Sequence, residues 1–164
     1  TSKNGTDRLN VENFWKSLSI KINFPLQIFR LAGIYSNEFN ILKRLKSGNV
    51  QIVDKKNHFF SRIHVEDIAN ILTMSLNKFK NREIYNISDD KPAPQIEVAA
   101  YGARLLKLKQ INSIKIEEVE NEMLKNFYKD SKKVDNKKMK NFFNYSLKYP
   151  SYIQGLDHIF NQNI

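Results

Sequence analysis

Few residue types in this sequence can do chemistry, and their spacing narrows the choice further. Cysteine is absent, which removes thiol nucleophiles, thiolate metal sites and disulfide scaffolds. His58, His64 and His158 stand far apart and form no H-x-x-x-H pair that would aim two imidazoles at one metal. His64 falls where an extended run meets a helical one, the place for a structural hydrogen bond to the first helical turn. Asp89 and Asp90 are adjacent carboxylates of the kind that could share a proton. The Lys91-Pro92-Ala93-Pro94 that follows makes them a turn and helix-start pair. Glu117-Glu118-Val119-Glu120 reads as a solvated helix face with its acids favourably placed for the helix dipole. Tyr35, at the end of an apolar run, reads as a core tyrosine, with a place near a ligand as the competing reading.

The elements that must position these residues alternate between helical and extended. Leu9, Val11, Phe14, Trp15 and Leu18 recur three to four apart between Asp7 and Ser19, as on a buried helix face. After Pro25, Leu26 to Tyr35 is nearly continuous apolar sequence, which suits a parallel strand covered on both faces. A helix is expected over Glu38–Lys46, closed by Ser47-Gly48-Asn49, and short strands over Val50–Val53 and Phe59–Ile63. Val65–Leu76 reads as a helix burying Ile68, Ile71 and Leu72, and Glu83–Ile87 as a strand. A helix over Pro94–Lys107 would bury Ile96, Ala99, Ala100, Ala103 and Leu106. Helices over Glu117–Tyr128, Asp135–Phe143 and Ser151–Asn161 close the chain. The alternation predicts an α/β fold with extra helices toward the C-terminus, and 164 residues predict one domain.

Lysine and arginine outnumber aspartate and glutamate by 27 to 17, giving a net charge of +10. The excess is mostly lysine, a flexible point charge without the planar fork that reads guanine or clamps phosphate, so a solvated surface is the expectation. Basic and aromatic residues interleave over Lys125–Lys140, with Phe127, Tyr128, Phe142 and Phe143 nearby, as in single-strand binders. Those aromatics also fall at helical core spacing, and a nucleic-acid partner is not expected. No apolar run approaches the roughly 20 residues that span a bilayer, and Thr1-Ser2-Lys3-Asn4 is no signal peptide, so a cytoplasmic protein is expected.

Three stretches carry a resemblance. They are Phe29-Arg30-Leu31-Ala32-Gly33-Ile34-Tyr35, Arg62-Ile63-His64-Val65-Glu66-Asp67-Ile68-Ala69, and Glu83-Ile84-Tyr85-Asn86-Ile87-Ser88-Asp89-Asp90 with Pro92-Ala93-Pro94. Lys132-Lys133-Val134-Asp135-Asn136-Lys137-Lys138-Met139 and Leu147-Lys148-Tyr149-Pro150-Ser151-Tyr152 continue it. In this order they resemble the NAD-dependent epimerase/dehydratase family, the extended or atypical short-chain dehydrogenase/reductases, in its C-terminal part only. The resemblance implies the C-terminal part of a Rossmann-like doubly wound sheet with a small, mostly helical substrate-side region. It also implies NAD(P) as the family's cofactor and a small-molecule substrate.

The sequence departs from that family at three places. The dinucleotide is held there by a Gly-rich turn opening a helix, yet Gly5, Gly33, Gly48, Gly102 and Gly155 form no G-x-G-x-x-G. The N-terminal dinucleotide-binding half is therefore absent from these 164 residues. Aligned on Glu12, the Tyr-x-x-x-Lys pair of the family falls on Asn4 and Arg8; Asn4 cannot titrate, and Arg8 keeps charge without shuttling protons. Finally, Phe60 stands where related nucleotide-sugar enzymes carry an arginine for the diphosphate, and an apolar ring makes no charge-assisted contact. Arg62 is either a displaced phosphate contact or a strand arginine capping a carboxylate.

The resemblance leaves Arg8, Gly33 and Tyr35 as cofactor-side candidates and Tyr35, Phe60, Arg62 and His64 as substrate-side candidates, with no metal site. The chain reads as the substrate-side portion of an NAD(P)-dependent oxidoreductase, binding no cofactor alone. A non-catalytic binding or regulatory remnant of that fold, and a basic nucleic-acid-associated protein, are the alternatives. Leu26–Tyr35 should lack a strand on one side, which predicts a separately encoded N-terminal half, self-association, or poor stability.

Overall fold

The computed structural model describes residues 3–48 and 50–162. Asn49, in the turn expected after the second helix, and Thr1 and Ser2 lie outside them. The order is α1 (Lys3–Ile22), β1 (Gln27–Leu31), β2 (Gly33–Tyr35), α2 (Ile41–Lys46), β3 (Ile52–Asp54), β4 (Arg62–His64), α3 (Val65–Asn77) and β5 (Glu83–Ile87). It continues with α4 (Gln95–Leu105), β6 (Ser113–Lys115), α5 (Glu122–Phe127), α6 (Lys137–Phe143) and α7 (Tyr152–Asn161). This is the α/β alternation expected from the sequence.

The apolar run after Pro25 forms β1 and β2, interrupted at Ala32. β1 pairs in parallel with β5, Phe29 opposite Tyr85, and β2 pairs in parallel with β4, Tyr35 opposite His64. A third parallel pair joins β3 to β6, a strand the sequence did not announce. Among the described residues β1 has β5 as its one strand partner. Parallel pairing brings C-terminal strand ends to one edge, so Tyr35, His64 and the Ser88-Asp89 turn after β5 converge there.

Two apolar clusters flank this edge. In one, Leu42 and Ile41 of α2 and Val98 and Ala99 of α4 meet Tyr152, Leu156 and Ile159 of α7. In the other, Ile68 and Ile71 of α3 meet Tyr85 and Ile87 of β5 and Met139 and Phe143 of α6. Gly102 lets α4 approach α2, since a Cβ there would meet Leu42 and Leu45 side-chain carbons at 3.1 Å.

Several sequence expectations give way. α1 is a helix, but Leu9, Val11, Phe14 and Trp15 are 46–62% exposed and Ser19 is its one buried residue. Phe24, edge-on to Trp15 at 6.2 Å, is the one ring outside α1 that meets this face among the described residues, and most of it stays open. β1 is likewise not covered on both sides, with Leu31 exposed. Leu72 and Ala100 face solvent, because the buried stripes of α3 and α4 run through Ile68, Ile71, Val98, Ala99, Gly102 and Ala103. The acidic run at 117–120 is a short 3-10 turn over Ile116–Glu118, not a helix face. Its Glu118 side chain accepts from the Lys115 N–H at 3.0 Å, and Val119 is buried against Val53 and Tyr128.

Candidate functional site

β2, α2, β4, α4, α5 and α7 line an open cavity of about 140 Å³. Gly33, Ile34 and Tyr35 of β2 form one wall, and Phe39, Asn40, Ile41 and Arg44 a second. Phe60, Arg62, Gln95, Val98 and Phe127 close the far side, with Tyr152 and Leu156 of α7 beneath. Asn40 fixes the start of α2 by accepting from the Lys43 N–H at 3.0 Å, an N-cap that satisfies an orphan helix donor.

Tyr35 is 8% exposed, its hydroxyl has no hydrogen-bond partner among the described residues, and its ring stands edge-on to His64 at 5.1 Å. Burial, with the Asp89 and Asp67 charges adding to it, pushes the phenol far above its ordinary value. Buried against α7, it stays a neutral phenol near neutrality. Its ring also defines the packing of α7: a Cβ on Gly155 would lie 2.0 Å from the Tyr35 hydroxyl.

Arg62 is half-buried, with its guanidinium turned inward. One terminal nitrogen donates to the carbonyls of Phe60 and Ala93, both at 3.0 Å, and the other to Gln95 Oε1 at 2.9 Å. It caps backbone carbonyls and an amide, and no carboxylate accepts a hydrogen bond from it among the described residues. Burial lowers its pKa, with the Asp89 charge opposing. Phe60 pairs with Ala93 in an isolated bridge and stacks on Phe127, centroids 4.8 Å apart and planes 16° from parallel.

His64 caps α3. Its Nδ1 accepts from the Glu66 N–H at 3.2 Å, while Nε2 has no partner and the ring packs on Tyr149 at 4.1 Å. Desolvation lowers its pKa, keeping the ring neutral. Beside it Asp67, fully buried, accepts from the Tyr145 hydroxyl at 2.7 Å and from the Lys148 and Tyr149 N–H groups at 2.7 and 3.0 Å. This carboxylate ties the start of α3 to the segment leading into α7, a role that sequence reasoning did not assign.

Asp89 and Asp90 part company. Asp90 is exposed and accepts from Lys140 Nζ at 3.0 Å and Asn136 Nδ2 at 2.8 Å. Asp89 is 1% exposed; its Oδ1 accepts from the Lys91 N–H at 3.2 Å and its Oδ2 is unpartnered. Burial pushes its carboxyl up to about 7, with Arg62 opposing. The pair forms a turn, as expected, but α4 begins five residues after Asp90, with Pro94 at its N-cap.

Asn4 and Arg8 are both exposed on α1 and do not line the cavity. Glu12, used to align them, joins α1 to β1 through a bidentate contact from Arg30 at 2.8 and 2.7 Å. Among the described glycines, Gly48 turns the chain at φ +69°, Gly102 and Gly155 admit neighbouring side chains, and Gly33 lies against the Ser61 carbonyl. These glycines lie far apart in sequence and form no Gly-rich turn of the kind that cradles a pyrophosphate. Arg44, Gln95 and Phe127 entered the site unannounced, because the fold gathers them from distant segments. No group of side chains that could hold a metal occurs among the described residues, nor any helix long and apolar enough to cross a membrane.

Neither family models nor curated proteins match the chain. Solved structures do. A conserved protein of unknown function from Silicibacter pomeroyi is 34% identical and superposes with a TM-score of 0.92, over 99% of this chain and 57% of that one. The dTDP-glucose 4,6-dehydratase of Bacillus anthracis, in complex with NAD, gives a TM-score of 0.76 at 17% identity, over 98% of this chain and 51% of that one. The UDP-glucose 4-epimerase of Thermotoga maritima, with UDP-glucose, gives 0.75 at 12% identity, over 96% and 52%. The chain therefore carries the Rossmann-like fold of the NAD-dependent epimerases and dehydratases that its sequence resembles, and it spans about half the length of these structures.

Proposed function

We propose that this chain is the C-terminal, substrate-side portion of an NAD(P)-dependent epimerase/dehydratase-like oxidoreductase, and that it does not catalyse alone. The observation that carries the reading is the pairing of a formed cavity at the strand ends with a helix, α1, whose apolar residues lie open. Phe14 is 62% exposed and Val11 56%, on a helix fastened to β1 by the Glu12–Arg30 contact. A dinucleotide-binding portion with parallel strands would cover β1 and that face, and would bring the nicotinamide toward β2. Its supply by a separate chain or by preceding sequence is equivalent for this purpose. Closure by a second copy is the competing arrangement, and the same exposed face favours it.

Titration with NADH tests the reading. The chain alone should leave NADH fluorescence unchanged. Joined to the polypeptide encoded immediately upstream, which should contain G-x-G-x-x-G, it should enhance and blue-shift that emission. Tight NADH binding by the chain alone overturns the proposal. A concentration-dependent dimer that blocks the upstream polypeptide favours closure by a second copy.

A further inference from the structure

The wall of the cavity speaks to what it holds, an inference that rests on reading it as the substrate pocket. Ile34, Phe39 and Phe127 are 46, 68 and 61% exposed, and all three stand around this one opening. Phe60 continues the wall, stacked on Phe127. Large apolar side chains gathered at a concave site favour an apolar occupant, because burying them removes their contact with water.

The polar groups of the same wall are mostly committed. Arg62 and Gln95 are bonded to one another, and Arg62 also to two carbonyls. The Asn40 amide donates to the carbonyls of Ser36 and Asn37 at 2.9 and 3.0 Å. The Tyr152 hydroxyl donates to Glu97 at 2.5 Å. Arg44 differs: it is exposed, and its guanidinium has no hydrogen bond or ion pair among the described residues. A diphosphate spreads its charge over several oxygens and calls for several donors, whereas one carboxylate is matched by one guanidinium fork.

We propose that the cavity takes a small aryl carboxylic acid, its flat ring against Phe60 and Phe127 and its single carboxylate on Arg44, in place of a nucleotide-diphosphate sugar. A cavity of about 140 Å³ is of the size that admits one benzene ring. The experiment is calorimetric titration of the full chain with 3-phenylpropionate, with the neutral 3-phenylpropionamide and with UDP-glucose. The acid should bind at one site, about tenfold tighter than the amide, with no heat from UDP-glucose. Arg44→Gln, at an exposed position, should erase the difference between acid and amide. Phe127→Ala, also exposed, should weaken both alike.

UDP-glucose bound more tightly than the acid overturns the ligand class and leaves the substrate-side reading standing. Equal binding of acid and amide overturns the role of Arg44, and with it the proposal. Absence of heat from the acid overturns it as well. Failure of the NADH experiment with the upstream polypeptide strikes the substrate-side reading instead, so the two can be told apart.

Discussion

α1 and α7 are both helices with apolar residues at helical spacing, yet they stand in opposite relations to the rest of the chain. α7 has 10 residues and buries Tyr152, Gly155, Leu156 and Ile159. α1 has 20 residues and buries Ser19 alone. Periodicity tells where a helix can bury a face, and the rest of the chain decides whether anything is there to receive it. α7 is received by α4, α2 and the ring of Tyr35. α1 is held mainly by Arg30, through Glu12, and by Arg82, whose guanidinium donates to the Ser19 carbonyl and hydroxyl.

The widest gap between the two sides should come from Asp67, which anchors the segment leading into α7. Asp67→Ala leaves two N–H groups and the part-buried Tyr145 hydroxyl without this acceptor and should cost about 4 kcal/mol in urea unfolding. A loss under about 1 kcal/mol would mean that the 145–149 segment is held by other contacts. Truncation within the helices should follow in size. Leu156→Ala should cost about 3 kcal/mol, as for a well-packed core leucine, while Val11→Ala should stay within about 0.5 kcal/mol. Similar losses at both would erase the contrast.

A separate comparison concerns pH. The carboxyl of Asp89 is raised from 3.8 to about 7 in the fold. The unfolded chain releases this proton near the ordinary value, so between these limits the folded state binds more protons. Stability contributed by this group therefore falls as pH rises from about 4 to about 7. Asp89→Asn, neutral throughout, should flatten that part of the profile in thermal unfolding followed from pH 4.5 to 7.5. An unchanged slope would place the titration elsewhere.

Much of the fold was legible, and the failures have physical causes. β5 keeps the bounds read from Glu83–Ile87, because its apolar residues are bounded by polar turns. β6 is three residues long, and its pairing with β3 is non-local, so no periodicity marks it. The helix read through 117–128 breaks because Val119 is drawn into a cluster with Val53 and Tyr128, which local propensity cannot register. At the site, Tyr35, Phe60 and Arg62 were legible through the resemblance, and all three line the cavity. Arg44, Gln95 and Phe127 were not, since their neighbourhood exists only after α2, α4 and α5 pack. Asp67 and Asp89 sit in acidic-looking sequence, and nothing there separates a buried carboxylate from a solvated one.

The one tryptophan, Trp15, lies on the open face of α1 and is 46% exposed, so its emission reports directly on whether a dinucleotide-binding portion covers that face. With the chain alone, emission should be that of a partly hydrated indole and indifferent to NADH. With the upstream polypeptide present, it should shift to the blue and lose intensity to bound NADH by energy transfer. Emission that stays unshifted while the assembly binds NADH would contradict the account, since the cofactor portion would then sit elsewhere than on α1.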